Sequence, residues 1–349
     1  MTAFVLPGDV DDPATVSGGN VYGLRMSEYL GARRVAVPGA WPSGDRAALA
    51  RALDALPDGE PVVIDGLVAY GSPEVIVPAA ARLRLIVLVH LPLADEAGLD
   101  PAVAADLDTR ERAVLRAAGA VVATSPWSAR RLAEHHGLDR VHVVMPGTDP
   151  APPARGTDGR SRLLCVAALT PHKGQDLLVT ALAMVADLPW TCTCVGPLGR
   201  DPGFVARVRE LIDRHGLAGR VTLAGPRTGP ALEDSYAEAD LVVLPSHAET
   251  YGMVVAEALM RGIPVQATAA GAIPDTLGRV SDGSVPGILV PGRDPAVLAA
   301  AVRRWLTEPD LPDRLRAVAR QRRQALRGWA DAARDLSAVI DHVGATWAA

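Results

Sequence analysis

Glu249, Gly252, Glu257 and Gly262 sit in one 25-residue stretch, LPSHAETYGMVVAEALMRGIPVQAT, which is residues 244–268. Residues 241–244 form an apolar run that reads as a buried strand ending at Pro245. Gly252 then opens the segment 252–261, in which Val254, Val255, Ala258 and Leu259 repeat at helical spacing, and Gly262 closes it. Residues 263–267 read as the next strand. A helix that starts this way points the free backbone N–H groups of Gly252, Met253 and Val254 at the loop, which suits a phosphate. Glu257 lies roughly 7 to 8 Å along the axis from Gly252. Glu249 and Glu257 therefore cannot grip one atom, but they can grip the two ends of an elongated ligand whose phosphates lie between them.

A second candidate is Lys173, in LTPHKGQDLLVTAL. It is the one lysine beside 34 arginines, so the position asks for a compact ammonium. A lysine ahead of a helix start is unfavourable to the helix dipole unless an anion is present. Near the N-terminus, the loop PGDVDDPATVSGG precedes a helix expected over residues 20–30, with Asn20 as a possible cap. Gly18 and Gly19 again offer N–H groups to a phosphate, and Asp9, Asp11 and Asp12 share the loop. Asp65, His90 and Ser125 each follow an apolar strand-like run, where ligands gather in parallel sheets. Cys165, Cys192 and Cys194 fall in apolar strands and read as core thiols. The eight histidines show no HxxxH or comparable spacing, so no protein-bound metal is expected.

These residues must be positioned by alternating strands and helices. Strands are expected at 3–6, 34–37, 62–64, 85–89, 120–123 and 142–145. After a Pro-, Gly- and Asp-rich linker near Pro150 they resume at 162–168, 191–195, 221–224, 241–244, 263–267 and 287–290. Val, Ile and Leu without clean alternation predict parallel sheets covered on both faces, an α/β fold of two domains. With 35 basic and 40 acidic residues the formal net charge is −5, which gives no reason to expect nucleic acid. The N-terminus lacks the pattern of a secretory signal, and no apolar run approaches the ~20 residues of a membrane span. A soluble, cytoplasmic protein is expected. Residues 303–327 carry eight arginines and read as a solvated amphipathic helix pair, with an anionic or membrane surface as the alternative.

The stretch PSHAETYGMVVAEALMRGIPV resembles the Glu-x7-Glu signature of the retaining glycosyltransferases of family 4, whose usual form is close to PSxxEGFGxxxxEAxxxGxPV. The resemblance covers nearly the whole chain. It implies the GT-B architecture, two Rossmann-like doubly wound domains facing each other across a cleft: residues 1–150 on the acceptor side, 151–328 binding the nucleotide sugar, and 329–349 crossing back to the first domain. It assigns Glu249 to the ring hydroxyls of the donor sugar, Glu257 to the ribose, and Gly252, Met253, Val254, Lys173, Gly18 and Gly19 to the diphosphate. Gly225 and Arg227 fall where the family reads the base. His90, in VLVHLPL, falls beside the transferred sugar, so that His90, Lys173 and Glu249 form the catalytic set. PGTD resembles the PNGVD-like end of the first domain, and AGAIPD, residues 270–275, resembles GGxPE. One departure stands out: the arginine of the family's GRL-like motif is replaced, since VAAL places Ala168 there. His172 or an arginine of the first domain would then supply the missing contact, or the donor is held more weakly.

The implied reaction moves a hexosyl unit from a UDP- or GDP-sugar to a small polar or carbohydrate acceptor. Configuration is retained, and neither metal nor cofactor takes part. Asp9, Asp11, Asp12 and Asp65 would line the acceptor side. The alternatives are a nucleotide-sugar-binding protein without transferase activity, and a GT-B phosphorylase or epimerase. No GxGxxG follows the first strand, which argues against a dinucleotide oxidoreductase.

Overall fold

The computed structural model describes residues 1–92 and 100–347. Its chain divides into two compact units. The first comprises Met1–Asp12, Ser17–Gly147 and Gly328–Ala349, and the second Pro13–Val16 and Thr148–Arg327.

The first unit is built on β1 (Ala3–Pro7), β2 (Arg33–Val37), β3 (Pro61–Asp65), β4 (Arg84–Val89), β5 (Ala120–Ala123) and β6 (His142–Val143). All pairings are parallel, in the order β2-β1-β3-β4-β5-β6. The apolar runs form central strands because both faces are covered: every residue of β1 and β5 is buried. The order reverses direction between β1 and β3, so helices leave these neighbours on opposite faces and a crevice opens at their carboxyl ends. The helix Trp329–Trp347 belongs to this unit. It buries Trp329, Leu336 and Val343, and Trp329 meets the Tyr22 ring edge-on at 5.9 Å.

The second unit contains β7 (Arg162–Val166), β8 (Thr191–Val195), β9 (Val221–Gly225), β10 (Leu241–Leu244), β11 (Val265–Thr268) and β12 (Gly287–Val290). They pair in parallel in the order β12-β11-β10-β7-β8-β9. The switch point here lies between β7 and β10, two strands separated by some 75 residues of sequence but adjacent in the sheet, with Leu241 opposite Leu163. Leu177, Leu178, Val208 and Trp305 fill one core, and Tyr236, Val255, Leu259 and Ile273 another. Burying each of these side chains contributes about 1.5–3 kcal/mol. β11 begins at Val265 rather than at 263, because the Ile263 N–H still bonds back to the Ala258 carbonyl of the preceding helix at 2.9 Å. Cys165, Cys192 and Cys194 are free and buried, Cys165 opposite Cys194 in register.

The arginine-rich segment forms the end of the helix Pro295–Thr307 and the helix Leu311–Arg323, which turns Leu311, Leu315 and Ala319 inward. Its arginines are tied to the unit itself: Arg303 to Asp187, Arg304 to Glu308, Arg323 to the carbonyl of Ala151.

Candidate active site

In the second unit the loops that follow β7 and β10 touch because their strands are neighbours at the switch point. After β7 the chain makes a short 3-10 turn, Pro171–Lys173, and passes through Gly174 into the helix Gln175–Ala183. The buried Gln175 closes the turn by donating from Nε2 to the carbonyl of Ala168 at 3.1 Å. The backbone N–H of His247 donates to the carbonyl of His172 at 2.7 Å, stitching the two loops. Gly174 permits this approach: it has φ +71, and a Cβ there would lie 2.3 Å from the Pro245 oxygen.

The stitch brings Lys173 and Glu249 together, with Nζ to Oε1 at 2.7 Å. Ser246 Oγ donates to the same oxygen at 2.8 Å. The backbone of Glu249 is fixed by Ala272, whose N–H donates to its carbonyl at 2.9 Å. Gly252, at φ +84, is the N-cap of the helix Met253–Met260, and no side chain caps that helix. Val255 N–H turns back to the Gly252 carbonyl at 2.9 Å. The N–H groups of the first helical residues have no helix carbonyl to meet.

Glu257 lies one turn further along. The buried Tyr236 donates its hydroxyl to Glu257 Oε2 at 2.6 Å, and Arg261 donates to the Glu257 carbonyl at 2.9 Å while its guanidinium stacks 4.4 Å over the Tyr236 ring. Burial pushes the Glu257 carboxyl above its ordinary range, and the bond from Tyr236 works against that shift. Arg227 donates to Ser235 Oγ at 2.8 Å. Ser235 and Tyr236 are consecutive on the helix Gly229–Ala237, which thus serves both Arg227 and Glu257. Gly225 ends β9 at φ +72 and accepts at its carbonyl from Gly196 N–H at 2.9 Å.

Two histidines flank Lys173. His172 is pushed down to about 4 by burial and by the Lys173 charge, and burial also lowers His247. His172 is neutral at pH 7, so it does not replace an absent guanidinium as a charge. It can still donate a hydrogen bond.

The first unit brings together a different set. The helix Gly18–Tyr29 starts two residues before the expected position, with Ser17 as its cap: Oγ accepts from Asn20 N–H at 3.1 Å. Asn20 is therefore inside the helix and not its cap, and its N–H is already used. Gly19 lies against His90, since a Cβ on it would be 3.1 Å from His90 Cδ2. Tyr22 meets the imidazole edge-on at 5.3 Å. His90 Nε2 is 3.5 Å from Asp65 Oδ2 and makes no hydrogen bond. The ends of β1, β3 and β4 thus assemble residues 19, 65 and 90. Burial lowers His90 and raises Asp65, and their mutual attraction opposes both shifts.

The four aspartates do not form one group. Asp9, Asp11 and Asp12 are exposed, and Asp11 pairs with Arg34 at 3.5 Å. Asp65 is only 4% exposed; its Oδ1 accepts from Leu67 N–H at 2.8 Å, and its Oδ2 faces His90. It is a partner of the histidine and not open surface. Ser125 is buried too, capping the helix Pro126–His136. Tyr22, Tyr236, Ser246, Gln175, His247 and Arg261 carry these sites and were missed in the sequence. Ser246 and His247, inside the PSHAE run, left a signal there.

Comparison with known proteins decides the family. The family description "Glycosyl transferases group 1" matches residues 152–322, and "Glycosyl transferase 4-like domain" matches residues 3–147. The chain belongs to the glycosyl transferases group 1 family. Within this family it is 34% identical over 249 residues to the D-inositol 3-phosphate glycosyltransferase of Thermobispora bispora, covering 66% of the chain and 57% of that protein. It is 34% identical over 249 residues to D-inositol 3-phosphate glycosyltransferase 1 of Catenulispora acidiphila, covering 66% and 58%. The group 1 chain thus spans a little over half the length of these relatives. Among solved structures, it aligns with sucrose-phosphate synthase from Thermosynechococcus elongatus at a TM-score of 0.78 and 21% identity, over 99% of both chains. It aligns with Anabaena HepE in complex with UDP and glucose at 0.77 and 18%, over 97% and 99%. These likenesses show the GT-B fold. Lys173, Gly225, Arg227, Glu249 and Glu257 lie in the span matched by the group 1 description, and Gly18, Gly19, Asp65 and His90 in the span matched by the second.

Proposed function

We propose that this chain is a retaining glycosyltransferase that moves a hexosyl unit from a nucleotide-diphosphate sugar to a small polar or carbohydrate acceptor. The observation that carries the reading is the Lys173–Glu249 pair, 2.7 Å apart at the switch point and in the loop that leads to an uncapped helix start. Breaking a glycosyl–phosphate bond leaves negative charge on the diphosphate and positive character on the sugar. Lys173 and the N–H groups of Gly252, Met253 and Val254 stabilise the first, in the role a metal ion plays elsewhere. Lys173 and Ser246 both bond to Glu249 Oε1, so Oε2 is the oxygen that accepts from the sugar hydroxyls. Glu257, held by Tyr236, binds the ribose, and Gly225 and Arg227 sit on the base side.

In the first unit, Gly18 and Gly19 add N–H groups, and His90, backed by Asp65, is the side chain read as lying beside the transferred sugar. The acceptor attacks from the face the diphosphate leaves, and a diphosphate oxygen takes its proton, so no protein nucleophile is required. Asp9, Asp11 and Asp12 form an exposed acidic loop on the acceptor side. UDP-glucose is the first donor to try, because HepE is known in complex with it. D-inositol 3-phosphate is the first acceptor to try, because it appears in the names of the relatives.

Ala168, where the family carries arginine, favours a second reading: a protein that binds a nucleotide sugar without turning it over. The deciding experiment follows UDP or GDP release from a set of nucleotide sugars, with and without a panel of sugars, polyols and their phosphates. Acceptor-dependent release with an α-configured product from an α-configured donor supports the transferase. Tight binding with no release under any acceptor selects the binding protein, and an inverted product sinks the retaining mechanism.

A further inference from the structure

Away from both sites, the described residues contain one group of His, Cys, Asp or Glu side chains whose ligand atoms converge: Asp108, His135 and His136. Asp108 is on the helix Pro101–Ala117, and the histidines end the helix Pro126–His136. One ring nitrogen of each histidine and one carboxylate oxygen of Asp108 all lie within 4.8 Å of one another. Three such atoms about 2.1 Å from a tetrahedral ion would be roughly 3.4 Å apart. Side-chain rotations of about 1 Å therefore close the site, and His135 Nε2 already touches Asp108 Oδ1.

The groups behind the cluster point to the same ligand. His136 and Glu111 are each 1% exposed, and His136 Nε2 lies 3.1 Å from Glu111 Oε1. That contact places the ring proton on Nε2 and leaves a lone pair on Nδ1, which is buried with no hydrogen-bond partner. A buried polar atom without a partner calls for an explanation. A carboxylate on one ring nitrogen and a bare second nitrogen is the arrangement that metal-bound imidazoles have. The other carboxylate is held similarly, since Arg112 donates to Asp108 Oδ2 at 3.3 Å while Oδ1 faces His135. His135 is 52% exposed, and a cavity of about 260 Å³ lined by Asp108, Arg131, Leu132 and His135 gives an ion its way in.

We propose that Asp108, His135 and His136 bind one divalent transition-metal ion. Zn2+ matches two imidazoles and a carboxylate best, with solvent in the fourth position. Glu111 positions His136 from behind. Two imidazoles and a single carboxylate do not suit hard cations, which need several oxygen ligands. The ion ties the last turn of one helix to the middle of another and takes no part in sugar transfer. The expectation that the chain binds no metal came from spacing within single segments, whereas here the ligands are 27 residues apart on two helices.

The test uses the full chain, free of any tag and stripped with a chelator, titrated calorimetrically with ZnCl2. One ion per chain with micromolar or tighter affinity is expected. His135→Ala and Asp108→Asn, both on partly exposed side chains, weaken it at least tenfold, with unchanged circular dichroism in the metal-free state. Glu111→Gln weakens it about 10- to 100-fold. If the parent takes up no stoichiometric Zn2+, or if His135→Ala and Asp108→Asn bind as tightly as the parent, the proposal fails. Because sugar transfer is not the readout, this outcome is independent of the transferase reading.

Discussion

The two units each bring a helix start and polar side chains to the carboxyl ends of adjacent parallel strands, with opposite electrostatics. In the second unit the start at Gly252 is uncapped, and the side chains beside it in the switch-point loops are an ammonium and a carboxylate bonded at 2.7 Å. In the first, Ser17 caps the start at Gly18, and burial drives both His90 and Asp65 towards their neutral forms. Free N–H groups beside an ammonium suit a ligand that arrives with negative charge. A neutral imidazole wedged between Gly19 and Tyr22 offers shape and a directed ring and little charge. Under the proposed function, the second unit supplies the charged contacts to the diphosphate, and the first adds the N–H groups of Gly18 and Gly19 and shapes the reacting sugar.

That division can be broken experimentally. The largest effect is expected from Lys173→Ala: transfer, measured as kcat/KM for a preferred nucleotide sugar, should fall about 10²- to 10³-fold, the size found when one transition-state stabilising donor is removed. Undiminished turnover would deny the second unit its charge role. Glu257→Ala should come next. It removes a charged hydrogen bond worth about 1.5–3 kcal/mol, so nucleotide affinity measured by calorimetry should weaken roughly 10- to 100-fold. Glu257→Gln, which still accepts from Tyr236, should lose less.

Gly19→Ala sharpens the comparison. The added methyl meets His90 at 3.1 Å and must push it by a few tenths of an ångström. Transfer should drop roughly tenfold, as expected for a small misplacement of a reacting group, while UDP binding stays within twofold of the parent. Equal losses in both would show that the units do not divide the work.

The smallest effect concerns stability. His172 has a folded value of about 4 against an ordinary 6.5. As pH falls below 6.5 the unfolded chain takes up this proton first, so stability is lost between pH 6.5 and about 4 and is complete above that window. At pH 5 the loss from this half-buried group should be about 1–2 kcal/mol, read from urea unfolding, and His172→Asn should flatten that part of the profile.

Much of the second unit was legible because its chemistry is local. Prolines, glycines and acids at fixed offsets, read with strand and helix periodicity, fix the strand, loop and helix around Glu249 and Glu257. The first unit was less legible. Residues 19, 65 and 90 are dispersed over three strand ends, and nothing in their own neighbourhoods shows that Asp65 turns inward to His90. Asn20 looked like a cap because any Asn near a helix start does; Ser17 won because its extended backbone, φ −146 and ψ 163, aims its oxygen at the first turn.

By itself the sequence determined the α/β class, the approximate places of the strands and the glycosyltransferase family, because hydrophobic period and residue type are properties of short segments. It also marked Lys173 as singular. Only the tertiary structure decided which loops meet. Strand order places β7 beside β10 and β4 beside β3, so Lys173 reaches Glu249 across 76 positions and His90 reaches Asp65 across 25. It likewise gathered Asp108 with His135 and His136 from two helices. Such pairings come from how apolar faces pack into a sheet, and that cooperative choice is not written in any one stretch of chain.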